Sequence, residues 1–199
     1  MFSETQICNM ALRRIGLNPI ASLSAASQEA RDCSLYYGQF RDTVLRDHDW
    51  TFARKRRSLA SFAIPNDYAG KYLYGYVLPA DCLKPLKVYE LNGSVPQDFE
   101  LFRADTGDRF LMTDIPGAVL KYTMAVTDTS WFDAEFVEAL ARKLAGVLAV
   151  PLAKNTKLME YWENEYMKAI DRAKVSNMTE NMPRKETDDT PWITARTAH

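Results

Sequence analysis

Glu135 and Glu138 stand three residues apart, and Glu163 and Glu165 lie two apart beside Tyr161 and Trp162. Paired carboxylates can hydrolyse glycosides, one protonating the leaving group while the other attacks or activates water. The same residues also read as solvated helix faces, with Glu138 four residues before Arg142 as an i,i+4 ion pair. His48 and His199 are the only histidines, and His48 falls on the apolar side of a helical pattern, where a packed or helix-end histidine is expected. Asp81, in "LPADCL", follows a strand pattern and reads as a turn or cap that bonds nearby backbone amides.

No G-x-S-x-G, G-x-x-x-x-G-K-[ST], H-E-x-x-H or G-x-G-x-x-G signature occurs, so no catalytic residue and no cofactor are assigned. Cys8, Cys33 and Cys82 are widely spaced without a C-x-x-C pair, and two histidines cannot complete a zinc site, so no metal is expected. Reduced, partly buried thiols point to assembly in a cytosol.

The densest charge is in "DHDWTFARKRR", where Arg54, Lys55, Arg56 and Arg57 follow Trp50 and Phe52. Three readings are open for it. As a nucleic-acid patch it is short and has no second cluster in the tail. As a strand it places Arg54 and Arg56 on one face and Lys55 and Arg57 on the other, with cations on both sides. The preferred reading makes these four residues subunit-interface candidates, a cationic rim facing another copy's acids.

Net charge is −1 over 199 residues, which excludes a global basic field of the kind that drives non-specific nucleic-acid binding. The apolar fraction of 47% allows a full core, and the ten Tyr, nine Phe and four Trp suit a core or an extended interface. "MFSETQICNMALRRIG" lacks the basic lead and apolar run of a signal peptide, and no apolar stretch approaches membrane-spanning length.

The elements that must position these residues fall in three groups. Ser3 and Gln6 match a capping box that opens a helix through Ile7, Met10, Ala11 and Ile15 to Gly16. A second helix carries Ala30, Cys33, Tyr37, Phe40, Val44 and Leu45 inward and ends near His48. Short strands follow: a region opening with "WTFARKRRSLASF", then 72–78, "LKVYEL", a hairpin pairing 99–102 with 110–112 around 105–108, and 118–126. Helix returns with Phe136, Leu140, Leu144 and Leu148 to about Pro151. A fourth helix, capped by Asn155 or Thr156, turns Leu158, Trp162, Tyr166, Ile170 and Ala173 inward. Beyond about Ser176 the periodicity is lost, and Trp192 and Ile193 are the only bulky anchors.

The expected class is α+β: a four-helix bundle formed by both ends of the chain, with an inserted small antiparallel β domain and an extended C-terminal tail. Residues 1–49 with 130–175 would make the helical domain, 50–129 the β domain and 176–199 the tail.

"ICNMALRRIGLNPIASL", "EARDCSLYYGQFRDTVLRDHDWTFARKR", "YGYVLPADCLK" and "LKYTMAVTDTSWFDAEFVEALARKLAGVLAVPL" occur in this order. Together they resemble the tail tubular protein A family, the head-to-tail adaptors, connectors or gatekeepers of tailed bacteriophages and prophages. The likeness covers residues 5 to about 175 and rests on helix-face patterns with "W-x-F-A" and "L-P-x-D". It implies a structural virion protein, not an enzyme, assembled in the bacterial cytoplasm and sited at the head–tail junction. Such adaptors form a closed ring, typically of about twelve copies, beneath the portal. The ring extends the DNA channel and offers a platform to the next tail or nozzle protein, with DNA passing through unheld and no membrane contact. By the same resemblance the C-terminal segment docks onto the portal, which makes Trp192 and Ile193 portal-docking candidates. The alternative is a tail-associated cell-wall or polysaccharide hydrolase using Glu135, Glu138, Glu163 and Glu165.

Overall fold

The computed structural model describes residues 2–64, 70–103 and 107–180, with side chains to 176. Four helices, α1 (Glu4–Arg14), α2 (Gln28–Asp47), α3 (Ala134–Ala153) and α4 (Thr156–Glu180), flank eight strands. The strands are β1 (Arg54–Ser58), β2 (Ala60–Phe62), β3 (Tyr74–Val77), β4 (Cys82–Tyr89), β5 (Pro96–Gln97), β6 (Glu100–Arg103), β7 (Arg109–Thr113) and β8 (Val119–Met124).

Local chemistry explains the helix ends. The Ser3 hydroxyl accepts from the Gln6 amide at 3.2 Å while the Gln6 side chain accepts from the Ser3 amide at 2.8 Å, completing the capping box. Ser27 and Asp133 cap α2 and α3 through the amides of Ala30 and Phe136, and Asn155 accepts from the Leu158 amide. Pro151 lies in the last turn of α3, which ends at Lys154 in the left-handed region.

The helices do not make the four-helix bundle expected from both chain ends. Instead α3 is the hub, and α1, α2 and α4 each pack against it. The reason lies in its composition: Phe136, Val137, Ala139, Leu140, Ala141, Leu144, Ala145, Leu148 and Ala149 are all buried, so α3 is apolar nearly all round. Such a helix must be surrounded, whereas a bundle helix buries a single stripe. The small β domain is likewise two four-stranded antiparallel sheets, in the orders β1-β8-β4-β5 and β2-β3-β7-β6. The expected tail boundary also shifts, because α4 continues to Glu180, past the end of its apolar periodicity. Extending a helix adds a hydrogen bond per residue without requiring a buried face.

Two clusters of buried side chains result. One unites the helices with Trp50, Ala53 and Val126; the other joins Tyr122, Leu120, Val88 and Cys82 of the first sheet to Tyr76, Leu78 and Leu111. In β8, Leu120 and Tyr122 turn toward the second cluster, while Val119 and Thr123 on the opposite face are buried as well, so that face opens to solvent mainly toward β1 and β4.

Candidate functional site: a cationic sheet face

β1 lies at the edge of its sheet and pairs only with β8, in the register Arg54↔Thr123, Lys55↔Tyr122, Arg56↔Lys121, Arg57↔Leu120. Residues directly opposite share a face. Lys55 and Arg57 therefore stand on the side of Tyr122 and Leu120, at the margin of the core, while Arg54 and Arg56 stand with Lys121 on the outer side.

β4 adds to that outer side by an irregularity. Lys84 pairs with Thr123 and Lys87 with Lys121, with register shifts between Cys82 and Lys84 and between Pro85 and Lys87. In a regular strand, residues three apart point to opposite faces; the bulge at Leu86 puts both lysines on one. Pro85, which cannot donate to the ladder, sits where the pairing is already broken. The outer face thus holds Arg54, Arg56, Lys84, Lys87 and Lys121, with Arg56, Lys121 and Lys87 in one row across three strands.

Neighbouring groups hold part of this set. Asp49 bonds Arg54 at 3.1 Å and meets Lys121 at 3.5 Å. Lys84 donates to the Arg46 carbonyl at 2.7 Å, in the last turn of α2, where a cation also meets the negative end of the helix dipole. Arg56 stacks its guanidinium 4.5 Å from the Tyr89 ring centroid and donates to the Gly93 carbonyl at 3.3 Å. The Lys87 side chain is exposed, with no side-chain hydrogen bond or ion pair among the described residues.

On the inner side, Lys55 meets Asp81 at 2.8 Å, and Asp81 also accepts from the Tyr122 hydroxyl at 2.9 Å. Burial alone would raise the Asp81 carboxyl, but these two hydrogen bonds outweigh it and hold the group below its ordinary value. Burial, reinforced by the Asp81 charge, pushes the Tyr122 hydroxyl up to about 12. Asp81 is a joint between strands, as a turn residue can be. The Arg57 side chain is exposed and makes no side-chain hydrogen bond or ion pair among the described residues.

Three of the four candidate carboxylates are drawn into ion pairs. Glu138 bridges Arg14 at 2.6 Å and Arg142 at 2.8 Å, Glu163 meets Lys143 at 2.7 Å, and Glu165 meets Lys168 at 2.8 Å. Glu138 and Glu165 are both held below the ordinary carboxylate value: Glu138 by its two arginines against the raising effect of burial, Glu165 chiefly by the Lys168 hydrogen bond. A general acid needs the opposite shift. Glu135 and Glu138 together border a recess of about 120 Å³, while Glu135 also borders one of about 460 Å³ beside Trp50, Phe52 and Asp133, and Glu163 one of about 340 Å³.

His48 caps the C-terminus of α2, buried, with its ring edge-on to Trp50 at 4.7 Å. Burial lowers its pKa. Trp50 in turn donates to the Val44 carbonyl at 2.8 Å, and Phe52 packs on Phe136. The three cysteines are free and buried. Among the described residues no group of three His, Cys, Asp or Glu side chains could hold a metal, and no helix is long and apolar enough to cross a membrane. Trp192 and Ile193 lie outside the described residues.

Lys84, Lys87 and Lys121 escaped the sequence reading, because strand register and bulges decide which lysines share a face. The available signal was Pro85 between two lysines in a strand pattern, which marks an edge or a bulge. Among known proteins, the chain matches no family model and no curated sequence.

Proposed function

We propose that the chain is a structural head-to-tail adaptor of a tailed phage or prophage, forming a ring between the portal and the tail and extending the DNA channel. The resemblance in the sequence motivates this reading, and one structural observation carries it: large apolar side chains stand uncovered on two separate elements. On α4 these are Met159, Tyr161, Met167 and Val175; on the second sheet and its approach they are Leu73, Tyr74, Val77 and Leu101. A ring built from one kind of subunit needs two different complementary surfaces on each copy. Apolar side chains exposed on separate elements are available to two such surfaces.

The hydrolase alternative has less support. Three of its four carboxylates are held in ion pairs, and Glu138 and Glu165 are shifted in the direction opposite to that of a general acid.

Electron microscopy of the full chain mixed with its portal tests the proposal. Rings of defined diameter are expected, together with loss of portal binding by a folded chain truncated after Glu180 or carrying Trp192→Ala and Ile193→Ala. A chain that stays monomeric with portal at high concentration sinks it.

A further inference from the structure

The row Arg56–Lys121–Lys87 is costly for a sheet. Each member lies directly opposite another cation across the ladder, and like charges in such positions destabilise strand pairing. The protein as a whole carries a net charge of −1, so the row is a local concentration and not an overflow of a basic chain. Asp49 tempers one end of the face through Arg54 and Lys121.

The geometry points to this outer face as a binding surface for the phosphate backbone of double-stranded DNA. Three features favour nucleic acid over a protein partner. The centre of a protein interface is depleted of charge and rich in apolar and aromatic side chains, whereas the middle of this row is the Lys121 ammonium, partly covered and shared with Asp49, between the exposed Arg56 and Lys87. Protein–DNA interfaces are positively charged and polar throughout. The cations also come from three adjacent strands, an array that can meet a series of phosphates. Tyr89 beneath Arg56 holds that guanidinium in place, its Gly93 bond leaving further donors for phosphate oxygens. Contacts to backbone phosphates carry no sequence information, so this binding is independent of sequence and salt-labile, which permits sliding. The inference goes beyond the adaptor reading, in which DNA passes unheld, by naming a surface with a weak, salt-labile hold on its backbone, and the contact itself needs no ring.

Fluorescence anisotropy of the unassembled full chain with a short labelled random-sequence duplex tests it. Binding at low salt is expected, with log K falling against log salt at a slope of about −3. The variant R56E/K87E/K121E should lose binding. R57E, on the same strand but the other face, removes the same kind of charge and should bind as the parent does. Equal losses in both variants, or no binding by the parent at low salt, would overturn the inference. Equally tight binding of poly-glutamate or phosphatidylserine vesicles would do the same. If circular dichroism shows the triple variant unfolded, K87Q alone, at an exposed position, should lessen the slope by about 1; an unchanged slope refutes the proposal. Ring formation is read separately by microscopy with portal, so either idea can fail while the other stands.

Discussion

Tyr166 of α4 donates its hydroxyl to the carboxylate of Asp47, at the end of α2, across 2.6 Å. Both helices pack on α3, and this bond ties their far sides together around it. Because Asp47 is exposed, water can replace the lost donor, and Tyr166→Phe should cost about 1 kcal/mol. Tyr166→Ala also empties a buried site and should cost about 3–5 kcal/mol. Urea titration of the two variants separates bond from packing.

His48 makes stability depend on pH near neutrality. Its folded pKa lies below the ordinary 6.5 because burial disfavours the imidazolium. The unfolded chain therefore binds the proton more readily, so the stabilisation is full above about 6.5 and declines as pH falls through the folded value. Thermal melts across this range should show that decline in the parent and a flatter profile in His48→Phe.

Gly75 has no room for a side chain. A Cβ there would stand 2.9 Å from the Phe62 carbonyl oxygen and 3.0 Å from Ile64, and the backbone oxygen belongs to the paired strand β2. Gly75→Ala should destabilise by about 1–3 kcal/mol, read as a lower denaturation midpoint.

Glu138→Gln separates structure from catalysis. Removing the charge leaves Arg14 and Arg142, both largely covered, without their shared partner. Solvent reaching the carboxylate screens the pair, so the loss should be about 1 kcal/mol by chemical denaturation. The folded carboxyl lies below its ordinary 4.5, so its contribution is present above that pH and lost as acid titrates it through the folded value. An assay on cell-wall polymer in which Glu138→Gln abolishes turnover while leaving stability untouched would revive the hydrolase reading.

Local signals in the chain foretold local structure well. Ser3 and Gln6 form their capping box, α2 stops at His48, and the β6–β7 hairpin pairs as its alternation suggests. The arrangement of the helices was not legible, because an apolar pattern as broad as that from Phe136 to Ala149 says how much surface must be covered and not by which partners. The cationic face was only half legible. Arg54 and Arg56 share a face by simple alternation, but Lys84 and Lys87 join them through bulges that depend on pairing with β8.

β1 and β8 carry the chain out of the helices and back, and they are neighbours in one ladder. Arg54, where the chain enters, is paired with Thr123, next to where it leaves. A pull exerted on the sheets through the helices would therefore act on this first pair and open the ladder from one end, pair after pair, in peeling and not in shear. Peeling yields at low force and recloses readily. The bonds from Arg46 to the Leu83 carbonyl and from Lys84 to the Arg46 carbonyl tie β4 to the end of α2 beside that pair, so such a pull has to break them as well.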